Sequence, residues 1–489
     1  MASLPNYTDL LPNNVLCMVF DRLDIKNVKN ASLVCKRWND IIFRSAYIDR
    51  FGINFSDFEV NNYGPHMAPK KSLLSKVQHL VRTERRYHNF YFVVMMEMEK
   101  VFPRAWKAIA LNQASNLQRL DLCFFGGSVR GLLALVPDTI PSMPQLRSLT
   151  VSDRSTVRMM TYEDIKQESI PSIRSKSLQE LTMYCKYRYT IDTPELQTFA
   201  GALCALLPPG SSDKEQLELT KLKKLDVTVW SWKPADRSIF RRMPNLAEIH
   251  WDIPVDEELF VAMCKTCPHL TDARFSKELV ISNHSSFKHL SKLAQLRILR
   301  FSDIQYEDDV FMDLSKLNHL EELRLGHTHL LPVSLLSFSK SIRKLGLHIY
   351  GCVELSLVEI TVRNLPQLTE LYLNGHTVPI SSSALRALLG FEHLEVLEFS
   401  HFHFTQSKFL EMNGPMHQVR TLRFHCCKLE TKQLYGLQDK FPKLQNTVYE
   451  ECEIDDEPKD DQIRTPYDLN VELAKRLNVP LVPNTSIYR

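Results

Sequence analysis

A few groups of side chains in this sequence have the types and spacing for metal or nucleophile chemistry. Cys264-Lys265-Thr266-Cys267 places two thiols in a Cys-x-x-Cys spacing, half of a tetrahedral zinc site that would need two more nitrogen or sulfur donors close by. No such donor is near, and the pair falls just before Pro268 at the end of an apolar helical pattern, so both are expected as buried core cysteines. His401-x-His403 and His425-Cys426-Cys427 offer imidazole and thiol donors. Gly126-Gly127-Ser128-Val129-Arg130-Gly131 lacks the lysine and spacing of a phosphate-cradling loop and reads as a turn. No nucleophile–base grouping stands out, and paired acids are scattered over solvent faces. The expectation is a protein with no catalytic residues, no metal and no cofactor.

A repeat decides where these groups sit. The pattern Leu-x-x-Leu-x-apolar recurs as Leu117-Leu120-Leu122, Leu146-Leu149-Val151, Leu178-Leu181-Met183 and Leu222-Leu225-Val227, and continues through Leu246, Leu270, Leu296, Leu320, Ile342, Leu368, Leu394 and Val419 to a decayed copy at Leu444. An earlier copy reads Tyr87-Phe90-Phe92. From Leu222 the steps are 24, 24, 26, 24, 22, 26, 26, 25 and 25 residues, too uniform for chance. The earlier steps are longer, and the longest holds the loop signal Pro208 to Asp213. Alternation within Leu-x-Leu is strand periodicity. The dozen residues that follow show helical spacing, as at Asp309-Phe311-Met312-Leu314 and Ala384-Leu385-Ala387-Leu388-Leu389. Pro144, Pro244, Pro268, Pro366 and Pro442 each stand two residues before the next copy's first leucine, where proline stops a helix and turns the chain into a strand. One strand and one helix cannot bury their own apolar face; stacked copies can.

In that frame the residue between the last two apolar positions points away from the core. Along the copies this column reads Asp121, Thr150, Thr182, Asp226, His250, Arg274, Arg300, Arg324, Gly346, Tyr372, Glu398 and Arg423. Three arginines on consecutive rungs, about 5 Å apart, suit carboxylate or phosphate ligands. Asp272 and Glu322, two residues before Arg274 and Arg324, are the internal alternative, whereas Ile298 stands at that position before Arg300. His348 and Tyr372 lie beside the column as further contact area. His401-x-His403 and His425-Cys426-Cys427 fall at equivalent strand ends of neighbouring copies, where ordinary core or surface histidines are the expectation.

Composition excludes several classes. The chain has 489 residues, 44% hydrophobic and 24% charged, with a net charge of +3, so it is globular, and it lacks the dense basic surface that nucleic-acid binding requires. Eleven cysteines at irregular spacing fit reduced thiols. The first residues lack a signal-peptide pattern, and the longest apolar run, about Tyr91 to Met96, is far short of the roughly 20 residues of a membrane span. A soluble protein of the cytoplasm or nucleus, with no membrane partner, is expected.

Over Tyr87 to Tyr449 the repeats resemble the leucine-rich-repeat family, with Cys427 in Leu422-x-Phe424-x-x-Cys427 matching the family's closing position. The resemblance implies an α/β solenoid, a horseshoe with parallel strands on its concave face, that binds a target protein. Near the N-terminus Val15, Leu16, Val19, Phe20 and Leu23 make one helical stripe after Leu11-Pro12, and Val28, Ala31, Leu33 and Val34 lead into Cys35-Lys36-Arg37-Trp38. About 40 residues expose too much surface to stand alone, so a partner should cover part of the stripe. This segment resembles an F-box, with Asn14 where that family often has glutamate. The resemblance implies docking on a Skp-type adaptor, and through it on cullin and RING subunits, by Leu11, Pro12, Val15, Leu16, Val19, Phe20, Leu23, Val34, Cys35 and Trp38.

The expected organisation is an all-helical F-box at 8–50, a linker packed on the first repeat at 51–86, the repeat domain at 87–449 and an acidic tail at 450–489. The expected function is a non-catalytic substrate-recognition subunit of an SCF-type ubiquitin ligase, holding an acidic or phosphorylated target at Arg274, Arg300, Arg324, His348 and Tyr372. The alternative is a stoichiometric binding or inhibitory protein acting outside a ligase.

Overall fold

The computed structural model describes residues 10–454 apart from internal segments, the longest of which are 126–134, 155–171, 207–217 and 229–236. The turn at Gly126 to Gly131, the loop at Pro208 to Asp213 and the acidic tail from Asp455 onward lie outside the described residues. The chain divides into two units, Met1–Leu222 with Thr228–Pro234, and Lys223–Val227 with Ala235–Arg489.

The first unit opens with three short helices, α1 (Asn13–Phe20), α2 (Ile25–Ala31) and α3 (Lys36–Arg44). Asp24 caps α2 by accepting the Asn27 backbone N–H at 2.7 Å, which satisfies one of the donors a helix start leaves open. Parallel strands follow: β1 (Gly52–Asn54), β2 (Asn89–Met95), β3 (Arg119–Phe125), β4 (Ser148–Asp153), β5 (Glu180–Tyr184) and β6 (Thr198–Gly201). Phe90 pairs with Leu120, Leu120 with Leu149, Leu149 with Leu181, and Leu181 with Phe199. The copies therefore stack in the register their leucine spacing requires, the early Phe90-Phe92 copy included.

The segment 51–86 carries more regular structure than its prolines and lysines suggest. β1 pairs with β2 through Ile53 and Phe90, and α4 (Lys71–Arg82) buries Leu73, Val77 and Leu80. Those three at i, i+4 and i+7 form an apolar stripe that the neighbouring charges conceal.

The second unit is a parallel stack of β7 (Lys224–Val227), β8 (Glu248–Trp251), β9 (Asp272–Val280), β10 (Ile298–Gln305), β11 (Glu322–His327), β12 (Lys344–His348), β13 (Glu370–Asn374), β14 (Val396–Ser400), β15 (Thr421–His425) and β16 (Asn446–Glu450). Leu299, Leu323, Leu345, Leu371, Leu397 and Leu422 are partners in successive pairs, and each is at most 1% exposed. The second apolar position stacks too: the Phe275 and Phe301 rings lie 5.1 Å apart and nearly parallel, as do Phe424 and Tyr449 at 5.5 Å. Before each strand the chain turns tightly, with Leu270 N–H on Cys267 O, Leu320 on Leu317 and Leu368 on Leu365. A ladder runs between the turns, with Glu321 N–H on Arg297 O, Arg343 on Glu321 and Thr369 on Arg343, all 2.8 Å.

The return segments are helical only in part. α5 (Glu257–Thr266) is capped by Asp256, α6 is Glu354–Asn364, and α7 (Ser382–Ala387) is capped by Ser381. The last covers the helical reading at Ala384 to Leu389, which ends in a 3-10 turn. The helical expectation at Asp309 to Leu314 fails: this stretch forms no helix, and Val310 makes a parallel bridge with Leu330. Val310 donates to His329 O and accepts from Leu331 N–H, so its backbone is satisfied by the neighbouring copy instead of by a helix. No described helix is long and apolar enough to cross a membrane.

Candidate functional site

The charged column of the second unit forms as its spacing requires. Arg274 lies opposite Arg300 and Arg300 opposite Arg324. Their charges are not left bare. Asp272 grips Arg274 with both oxygens, at 2.9 Å to Nε and 2.7 Å to Nη2. Glu322, 6% exposed, stands 2.7 Å from Arg300 Nη2 and 2.7 Å from Arg324 Nε. Arg300 was expected to lack an acid because Ile298 precedes it; it takes one from the next rung instead. Burial pushes the Glu322 carboxyl up, but the hydrogen bond and charge of Arg300, with those of Arg324, outweigh it and hold the group below the usual carboxylate range.

Beyond the arginines the column turns inward. Arg324 lies over the Tyr372 ring at 3.8 Å, a cation–π contact that crosses the rung of Gly346. A Cβ at Gly346 would stand 3.1 Å from Arg324 Cγ, so the glycine leaves the room Arg324 uses. Tyr372 is 9% exposed and its hydroxyl donates to Glu370. His348 is 2% exposed, its ring 4.6 Å from that of His327. Both therefore offer little free surface: one lies beneath a guanidinium, the other against a second imidazole. An open hollow of about 440 Å³ remains, bordered by Arg300, Arg324, Gly346, Tyr372, Asn374 and Ser400. On the other flank, burial and then the charge of Arg274 hold the His250 imidazole below its usual range.

Cys264 and Cys267 are buried, free and without other metal donors around them among the described residues. Burial raises both thiols, Cys267 to about 11, which makes them inert.

The N-terminal helices close a core of Leu16, Phe20, Val28, Ala31, Ile41, Ile42, Phe43, Tyr47 and Ile48, with Leu11, Cys17 and Trp38 packed against it. The Trp38 ring meets Phe20 edge-on at 5.2 Å. That core leaves Leu10, Met18, Val19, Leu23, Ile25, Leu33 and Val34 exposed, Leu33 at 80% and Val34 at 64%. Single exposed apolar residues are ordinary; so many on so small a module mark an interaction surface.

Residues 8–50 match the F-box-like family. A comparison with curated proteins yields no match. Among solved structures, the chain is similar to an internalin of Listeria monocytogenes at a TM-score of 0.36 and 12% identity, covering 65% of this chain and 78% of that one. It is also similar to TLR13 in its complex with ssRNA13, at a TM-score of 0.35 and 13% identity, covering 81% of this chain and 61% of that one. The repeat fold stands on its strand register.

Within the F-box-like module the ten expected adaptor residues separate. Pro12, Val19, Leu23 and Val34 are exposed, and Leu11, Val15, Cys35 and Trp38 are half-buried. Leu16 and Phe20 are corrected: at 1% and 0% exposure they belong to the module's own core, because α1 turns that edge of its stripe toward α3. The expected adaptor set left out Leu10, Met18, Ile25 and Leu33, all exposed, although Leu33 stood in the second apolar set. The helical period could have flagged Met18, which lies next to the chosen stripe; Leu33 stands in a turn, where no periodicity applies. Arg37 was also missed as a positioning residue. Its guanidinium donates to the Leu11 carbonyl and, at 2.9 Å, to Asn13 Oδ1, so the α3 side chain fixes the start of α1.

Proposed function

We propose that this chain is a non-catalytic substrate receptor of an SCF-type ubiquitin ligase. The F-box-like module docks on a Skp-type adaptor, which joins it to cullin and RING subunits, and the repeats hold the target. The observation that carries this reading is the division of labour inside residues 8–50: the core is complete, and a second apolar set, above all Leu33 and Val34, is left facing solvent. Ubiquitin transfer would take place on other subunits, with positioning of the target supplying the rate gain. The target surface proposed is the hollow beside Arg300 and Arg324. The row holds three guanidiniums against the two carboxylates Asp272 and Glu322, an excess of one positive charge that favours an acidic or phosphorylated segment.

The test is a double substitution, Leu33→Asp with Val34→Asp. Neither side chain is in the module's core, so folding should be retained. Loss of two buried anchors costs about 4 kcal/mol, roughly a thousandfold in affinity. Adaptor and cullin should disappear from the co-purified complex while the chain's melting profile is unchanged. Adaptor capture equal to wild type would defeat the assignment and leave the stoichiometric binding protein as the better reading.

A further inference from the structure

His401 follows β14, Cys426 follows His425 at the end of β15, and Glu451 follows Glu450 at the end of β16, so one edge of three successive rungs carries all five. His401, Cys426 and Glu451 hold equivalent positions, and each has a left-handed backbone, with φ of 56°, 49° and 55°. That conformation is uncommon outside glycine. It is held by the ladder, with His401 N–H on His425 O at 2.9 Å and Cys426 N–H on Glu450 O at 2.8 Å.

The donor atoms of His401, His425 and Cys426 all lie within 4.8 Å of one another. Cys426 Sγ is 3.5 Å from His425 Nε2 and 3.3 Å from Glu451 Oε2. Arms of 2.0–2.3 Å at tetrahedral angles set donors about 3.5 Å apart, so these two edges already have the spacing of a filled site. The other nitrogen of His425, Nδ1, is buried without a hydrogen bond among the described residues, and Glu450 Oε2 stands 3.6 Å away, a small closure from the carboxylate–histidine arrangement that orients metal-bound imidazoles.

We propose that His401, His425 and Cys426 bind one divalent ion of the zinc type, with Glu451, 3.3 Å from the thiol, swinging in as the fourth ligand and Glu450 closing on His425 Nδ1 to fix the ring. Two imidazoles, a thiolate and a carboxylate form a mixed set that suits zinc and not the oxygen-seeking calcium or magnesium. The carboxylates of Glu450 and Glu451 beside the thiol favour a dication, and binding releases the thiol proton to solvent as the sulfur–metal bond forms. The bound ion ties three consecutive rungs together at the end of the described array.

The experiment titrates cobalt(II), a spectroscopic stand-in for zinc, into the purified full chain after chelator treatment. One equivalent should bind with a thiolate-to-cobalt charge-transfer band, and zinc should abolish it. Cys426→Ser should lose the band. Glu450→Gln should weaken affinity about 10–100-fold, the range for an outer carboxylate, and His401→Ala and His425→Ala should weaken it further. His403→Ala, outside the cluster, should bind as wild type. An absent thiolate band, or one that survives Cys426→Ser, overturns the site. In the unaltered chain, zinc should also slow maleimide labelling of Cys426, read by peptide mass spectrometry; labelling at an unchanged rate would overturn it without any variant.

Discussion

Glu322→Gln removes the charge that two guanidiniums share while keeping side-chain shape and one acceptor. Hydrogen bonds involving charge contribute about 1.5–3 kcal/mol each, with ion-to-ion bonds at the upper end. Both bonds, to Arg300 and Arg324, end on Oε1, so Gln can keep both as weaker ion-to-amide bonds, a nominal loss of about 1–3 kcal/mol. Both arginines are about a third exposed, so water recovers part of this, and the expected loss is about 1–2 kcal/mol. For a unit of this size that lowers the melting midpoint by about 2–8 °C. The pH dependence has a fixed sign. The folded Glu322 carboxyl lies below its ordinary value, so its contribution is complete above the unfolded value of about 4.3 and fades as pH falls through the lowered folded value. Calorimetry of both chains from neutral to acid pH should show a gap that is widest at pH 7 and closes on acidification. A gap below about 0.5 kcal/mol, or one that acid leaves unchanged, would show that Glu322 is not the charge that holds the column.

Leu323→Ala, fully buried with a rung on each side, should cost about 2–5 kcal/mol in chemical denaturation; Thr447→Ala, half-buried on β16, should cost little. Gly326→Ala would place a Cβ 2.0 Å from the Ser302 carbonyl oxygen, so strands must part and the melting midpoint should fall, whereas Gly346→Ala comes no nearer than 3.1 Å to Arg324, at Cγ, and should lower the midpoint less while lifting Arg324 off Tyr372 in a crystal structure. Cys264, buried with its thiol pushed far up by burial, should resist iodoacetamide in the native chain and react once denatured; native-state reaction at the denatured rate would contradict the packed core.

The rungs were legible because burial at Leu-x-Leu positions leaves a period in the sequence, and Arg274, Arg300 and Arg324 could be set side by side from that period alone. Pairing within the column was not legible in the same way. Asp272 serves its own strand's Arg274 and was readable at a spacing of two, but the acid of Arg300 lies 22 residues on, at Glu322. Only a rule about neighbouring strands finds it. The burial of Tyr372 and His348 was not legible, because it depends on side chains of other rungs, which periodicity does not carry. In the F-box-like module the stripe marked which residues are apolar, while the split between Leu16 inside and Met18 outside depends on where α3 packs. The convergence of His401 with Cys426 was visible as equivalent positions; their closeness depends on backbone angles that no spacing encodes.

The sharing of Glu322 by two rungs has a consequence for how such an array can be rearranged. In its core positions each copy here is nearly interchangeable with the next, as Leu299 and Phe301 lie beside Leu323 and Leu325. In its charges it is not: a copy excised with Arg300 leaves its counter-ion behind, and one inserted between Arg300 and Arg324 parts a carboxylate from one of its two cations. Grafts and deletions in this stretch should therefore be made with the rungs of Arg300 and Arg324 together, as a two-copy cassette.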